Sequence, residues 1–184
     1  MENDLEYATI EIINNNCKTL ISVFYRPPNA NTTWIHQFVV FIDSCAYEKV
    51  ITVGDFNLPD IKWIQGSGFI DCHLILFTLC EKLIDKNTFQ LLDQPTRGNS
   101  TRDLLLSSFL EGVANVQLSD SDGVNLSSDH KALTFDLHTG YKLLSYINAP
   151  FHCFEEVIIF NNASKCSVEW NNRSLLRSLR WSSR

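Results

Sequence analysis

Apolar and polar positions alternate through residues 6–13 (EYATIEII) and again through 18–25 (KTLISVFY), the period of two that a half-buried strand requires. Asn14, Asn15 and Asn16 between them tolerate the backbone of a tight turn, so the two runs read as a β-hairpin. Arg26-Pro27-Pro28-Asn29 closes the second run, because proline cannot donate to a ladder. The period then changes. Trp34, Phe38, Ile42 and Cys45 fall on one stripe of a helix that runs from a cap at Thr32 or Thr33 to about Tyr47. Residues 50–54 predict a short buried strand ending in Asp55, and after the loop at Pro59 residues 72–85 (CHLILFTLCEKLID) suit a second helix. Further strands are expected over 89–92, 103–108, 113–118 and 132–137.

Strands that alternate with helices predict an α/β layered domain. There is no internal repeat and no low-complexity segment. Past about His138 the pattern fades: residues 138–170 carry no clear period, and the end holds four arginines (Arg173, Arg177, Arg180, Arg184) and no acid. Residues 138–184 therefore read as a linker or a degraded extension.

Composition narrows the class. Hydrophobic residues make up 45% and charged residues 20% of 184 residues, ordinary for a single soluble domain with a real core. No run approaches the roughly 18 apolar residues of a membrane span, and the acidic N-terminus lacks the basic-then-apolar pattern of a signal peptide. The expected location is intracellular, nuclear or cytoplasmic, and not secreted. The six cysteines show no CxxC pair or zinc-ligand spacing and read as buried thiols. A net charge of −6 counts against nucleic-acid binding through lysine and arginine. Carboxylates that hold a divalent metal would invert the local sign, so the charge favours no partner.

Four segments could carry chemistry. In Gly54-Asp55-Phe56-Asn57 a strand delivers Asp55 at its C-terminal end, where α/β sheets tend to place ligands. An extended backbone would turn Asp55 and Asn57 to one cleft and Phe56 into the core. That pair suits a hard metal ion, or a proton acceptor beside a phosphate-orienting donor; the bland alternative is an Asx-type turn. In Ser127-Ser128-Asp129-His130, a histidine that titrates near neutrality stands beside a carboxylate, either a metal or proton-transfer site or a solvated loop. Asp103 opens an apolar strand, an expensive place for a carboxylate unless something pairs with it. It suits either the orientation of His130 or the capping of backbone amides. Tyr25 ends a strand, its phenol able to donate to a phosphate or to sit as a wet tip on the core.

The order and spacing of these segments (VFYRPPN, GDFNLPDIKW, QPTRGNSTRDLLLSS and SSDHKALTFDL) resembles the endonuclease/exonuclease/phosphatase superfamily. More narrowly it is similar to the apurinic-type endonuclease domain of non-LTR (LINE-type) retrotransposons, over about residues 5–137. The resemblance implies part of a four-layer α/β sandwich, with two packed mixed sheets flanked by helices, in residues 1–137. It implies a hydrolase that cuts phosphodiester bonds in DNA with Mg²⁺ or Mn²⁺ and that was originally fused to a reverse transcriptase. By that likeness Asp55 is the general base or a metal ligand, Asn57 stabilises the phosphate or helps hold the metal, and Tyr25 donates to a phosphate oxygen. Asp129 is a metal ligand, His130 contacts the scissile phosphate and Asp103 orients it. Thr96, Arg97 and Arg102 lie against the nucleic-acid backbone. The early Asn and metal-binding Glu motifs of the family have no counterpart in the 24 residues before Tyr25. The sequence reading therefore expects an N-terminally incomplete domain of low or no intrinsic activity. A non-catalytic retroelement remnant and a phosphatase of a small phosphate ester are the alternatives.

Overall fold

The computed structural model describes residues 5–14, 17–63, 69–70, 74–119, 131–137, 156–162 and 165–171. The expected hairpin forms as β1 (Glu6–Asn14) and β2 (Cys17–Tyr25), paired antiparallel with Ile10 opposite Ile21. Helix α1 (Thr32–Ser44) crosses over to β3 (Lys49–Asp55), which lies parallel to β2. Two short strands, β4 (Lys62–Trp63) and β5 (Phe69–Ile70), pair before helix α2 (Leu74–Asp85). Then β6 (Phe89–Gln90) and β7 (Asp103–Ser107) complete a five-stranded mixed sheet of order β1-β2-β3-β7-β6. A second sheet pairs β8 (Val113–Ser119) with β9 (Ala132–Leu137).

The fold is α/β, as the sequence pattern predicts, and the first sheet is buried on both faces. On one face Phe24, Leu104 and Leu106 pack with Trp34, Ile35, Phe38 and Ile42 of α1 and Leu79 and Leu83 of α2. Phe24 is at the centre, with its ring edge-on to Phe38 at 4.8 Å and stacked on Tyr7 at 5.2 Å. On the other face Ile21, Val23, Ile51, Val53 and Leu105 pack against Leu133, Phe135 and Leu137 of the second sheet. A strand with apolar neighbours on both sides reads as a continuous apolar run, which is the pattern of Ile51-Thr52-Val53 and Leu104-Leu105-Leu106.

Helix α1 is capped one residue earlier than the pattern indicates. The Asn31 side chain, not that of Thr32 or Thr33, accepts from the Thr33 N–H at 2.9 Å. The helix stops at Ser44, and Cys45 is its extended C-cap. Past the end of α2, Asn87 adopts a left-handed backbone (φ 48°) that lets Thr88 N–H reach back to the Leu83 carbonyl at 2.8 Å. The two helices are tied on their solvent side by Asp43, which lies 3.1 Å from Lys82 and 3.7 Å from Lys86. The hydrogen bond from Lys82 is the main reason the Asp43 carboxyl titrates below its usual range. Within 138–184, where the sequence shows no period, the described residues form an antiparallel hairpin of β10 (Glu156–Asn162) and β11 (Lys165–Asn171), with β11 beside β9.

Candidate functional site

One row of residues crosses the end of the main sheet. Register places Glu6 opposite Tyr25, Tyr25 beside Asp55, and Asp55 opposite Asp103, so four strands each deliver one polar side chain to the same level. Directly opposed residues are neighbours across a ladder, with Cβ atoms roughly 5 Å apart. Asp55 and Asp103 are both buried, at 3% and 6% exposure. A buried carboxylate costs several kcal/mol, on the order of a lost salt bridge partner, unless donors or a cation compensate it. Asp55 receives such compensation from two sides. Its Oδ1 accepts the Asn57 N–H at 3.0 Å, and the neighbouring Arg26 guanidinium interacts with it electrostatically.

The route by which Asn57 comes to stand near Asp55 differs from the strand-alternation argument. The strand ends at Asp55, and Asn57 adopts a left-handed backbone with φ 45°. The bond from Asn57 N–H to the Asp55 carboxylate is an Asx turn, and asparagine tolerates the left-handed region better than most residues. Phe56, between them, is turned into the helix-side core as expected, with 0% exposure. Gly54 is needed for a separate reason. A Cβ there would lie 1.8 Å from the Phe24 carbonyl oxygen, and its φ of 148° is one that side chains rarely adopt.

Two arginines flank the turn. Arg26 donates through Nη1 to the Asn57 carbonyl at 2.8 Å, and its own carbonyl accepts from Asn57 Nδ2 at 2.8 Å. Arg102 Nη1 donates to Asn57 Oδ1 at 3.1 Å. The carboxamide is thus oriented by a carbonyl on its nitrogen and a cation on its oxygen, leaving one of its two amide N–H groups uncommitted by these bonds. The Nε atoms of Arg26 and Arg102 are buried and find no hydrogen-bond partner among the described residues. Burial lowers the pKa of Arg26, an effect that the neighbouring Asp55 opposes.

The loop from Asp93 to Arg102 supports the row from below. Gly98, with φ 55°, turns it, and Arg97 and Ser100 exchange backbone hydrogen bonds across the turn. Thr96 was expected against a nucleic-acid backbone, but its side chain points inward. It is fully buried, and its hydroxyl accepts the Arg102 and Asp103 N–H groups, each at 3.0 Å. Its carbonyl accepts the Lys131 N–H at 2.9 Å, which ties the loop to the entry of β9. Arg97 and Arg102 are partly exposed. The structure therefore gathers Tyr25, Asp55, Asn57, Asp103 and Arg102 at one sheet end, with Thr96 and Arg97 in the loop beside them. Asp129 and His130 lie outside the described residues.

The sequence reading missed Arg26. Its signal was an arginine immediately after the strand-end Tyr25 and before two prolines, which was read only as the end of a strand. As a metal site, the donors are hard oxygens of the kind that Mg²⁺ and Mn²⁺ take. Among the described residues no three of His, Cys, Asp or Glu stand together as a metal site. Asp55 and Asp103 are the pair that fits. The Asn57 oxygen is already turned to a cation, so its carboxamide suits a phosphate better than a metal.

A mixed sheet with helices on one face, a second sheet on the other, and carboxylates at the strand ends defines a layered α/β domain. The sequence model described as endonuclease-reverse transcriptase matches residues 19–134, more than half of the chain, and the protein belongs to that family. Among solved structures it is similar to the endonuclease domain of TRAS1, a telomere-specific non-LTR retrotransposon, with a TM-score of 0.53 and 16% identity. That match covers 74% of this chain and 69% of the other, and it shows the fold alone. No curated protein matches. No described helix is long and apolar enough to cross a membrane.

Proposed function

We propose that the protein is a metal-dependent endonuclease that hydrolyses phosphodiester bonds of DNA at the sheet end bearing Tyr25, Asp55, Asn57 and Asp103. The observation that carries this reading is the buried Asp55–Asp103 pair set against the arginine-flanked Asn57 turn. Carboxylates and anion-seeking donors side by side are what hydrolysis of a phosphate ester needs. One group accepts a proton from water, and others meet charge as it builds on the phosphate.

In this mechanism Asp55 takes the proton of the attacking water. The uncommitted Asn57 amide N–H and the Arg102 guanidinium donate to the non-bridging phosphate oxygens, and the Tyr25 phenol donates to a third oxygen. Asp103 contributes negative charge next to Asp55. His130 contacts the scissile phosphate, and Arg97 holds the strand through its backbone. Asp55 and Asp103, with Asp129, would hold a Mg²⁺ or Mn²⁺ ion, which would supply charge neutralisation at the phosphate.

The test is nicking of supercoiled plasmid with Mg²⁺ or Mn²⁺, comparing the protein with His130→Ala and with a chelated control. Nicking that disappears in both supports the proposal. Cleavage of small phosphate monoesters without nicking would move the reading to a phosphatase on the same fold. Folded protein that nicks no better than His130→Ala would leave a non-catalytic remnant of the family.

A further inference from the structure

We propose that Arg26 is a positioning residue, whose guanidinium holds Asn57 in the left-handed turn that presents its carboxamide beside Asp55. The inference rests on the nuclease reading of that site, but its structural content stands apart from turnover. Four hydrogen bonds converge on this one residue. Its N–H donates to the Asp55 carbonyl at 2.8 Å, which prolongs the β2–β3 pairing past the strand end. Nη1 donates to the Asn57 carbonyl at 2.8 Å and Nη2 to the Ala30 carbonyl at 2.7 Å. The Arg26 carbonyl, in turn, receives Asn57 Nδ2 at 2.8 Å. Asn57 is thus gripped by its backbone oxygen and by its side-chain nitrogen at once.

The grip is rigid because the guanidinium is backed. It lies over the Trp34 ring at 6.0 Å from the centroid, and Trp34 is fully buried and donates through Nε1 to the Tyr25 carbonyl at 3.2 Å. A planar fork that reaches two carbonyls, at residues 30 and 57, is a geometry lysine cannot reproduce. A non-glycine residue with positive φ is a strained conformation, kept only where its surroundings over-determine it. Arg26 supplies that constraint on Asn57. The contact to Ala30 alone would make Arg26 a loop staple. The two bonds to Asn57 make it a support for the group that faces the phosphate.

The experiment is a kinetic and spectroscopic cycle on the full chain, with Arg26→Lys, Arg26→Gln, Asn57→Ala and the Arg26→Gln/Asn57→Ala double variant. Near-UV circular dichroism confirms the fold of each, and Arg26→Lys serves if Arg26→Gln does not fold. Arg26→Gln is expected to lower kcat by on the order of 10²-fold with KM nearly unchanged, as misplacement of a group used in the transition state does. Arg26→Lys is expected to lose about tenfold. In the Asn57→Ala background the Arg26 change adds almost nothing, because the two act as one unit. A rise in KM at constant kcat would overturn the proposal and make Arg26 a nucleic-acid contact. Losses that multiply in the double variant would overturn it as well. If the unaltered protein does not nick, the nuclease reading fails. The Asn57 side-chain amide signals in ¹⁵N NMR then decide the positioning claim. They shift in Arg26→Gln if it is right and stay in place if it is wrong.

Discussion

The Asp55 carboxylate and the Asn57 N–H, two residues apart in the chain, meet at 3.0 Å. Strand alternation would place residues two apart on one side of an extended chain. The chain instead leaves the strand after Asp55, and an Asx turn brings Asn57 back to its carboxylate. The amino-acid types were legible, since aspartate and asparagine suit both a strand-end site and such a turn. The arginines that orient the carboxamide were not, because they come from positions 31 residues before and 45 residues after Asn57. If Asp55 is the proton acceptor, Asp55→Asn should abolish nicking while leaving the fold intact, checked by plasmid nicking beside circular dichroism. Asn57→Ala should cost on the order of 10²-fold in kcat, the usual loss when one preorganised donor to developing charge is removed.

A second residue-scale prediction lies away from the site. Tyr47 Oη donates to Glu11 at 2.5 Å, and Lys18 lies 3.2 Å from the same carboxylate oxygen. Tyr47 is the main cause of a lowered Glu11 pKa, and Glu11 in return pushes the phenol up to about 12. A lowered carboxyl contributes stability above its unfolded pKa and loses it as pH falls through the folded value. A raised phenol contributes below its unfolded pKa and loses it as pH rises through about 12. Tyr47→Phe should therefore flatten the dependence of Tm on pH at both the acidic and the alkaline limb. An unchanged acidic limb would mean that the pair is broken in solution.

At the scale of elements, the loop between β6 and β7 is where expectation and structure part most clearly. Its Pro-Thr-Arg segment reads as a surface contact because polar loop residues usually face water, yet Thr96 is buried and serves two backbone N–H groups. Thr96→Val keeps the volume and removes the acceptor. It should cost about 1–3 kcal/mol for each backbone N–H left unsatisfied, measured by urea unfolding. It should also slow nicking, because one of those groups is that of Asp103. Gly54→Ala should be more damaging, at or beyond about 1–3 kcal/mol, since the added carbon meets backbone rather than a side chain that can move. The β1–β2 hairpin and the helix faces were readable because their periods are sustained over nine or more residues. The two-residue strands β4 and β5 and the hairpin β10–β11 were not, since they carry no apolar period long enough to count.

For the whole molecule, the net charge of −6 is reconciled with the proposed phosphate-directed site by where the cations sit. Arg26 and Arg102 grip the Asn57 turn, and Arg97 lies in the adjoining loop, so three cations stand at this sheet end. Few phosphate contacts imply a shallow salt dependence. The logarithm of DNA affinity should fall against the logarithm of salt concentration with a slope of about −2 to −3, and Arg102→Ala should reduce that slope by about one. A steep slope of about −6 or more would mean that a basic surface outside the described residues does the binding.

The proposed nuclease acts at the sheet end defined by Tyr25, Asp55, Asn57 and Asp103. The most direct test is Mn²⁺ titration followed by paramagnetic broadening of backbone amide signals. Signals of residues 55–57 and 103–104 are expected to broaden first, while Val50 and Ser108, hydrogen-bonded to each other at the opposite end of the same two strands, stay sharp. Broadening at Val50 and Ser108 first, or none at Asp55 and Asp103 at any concentration that supports nicking, would contradict it.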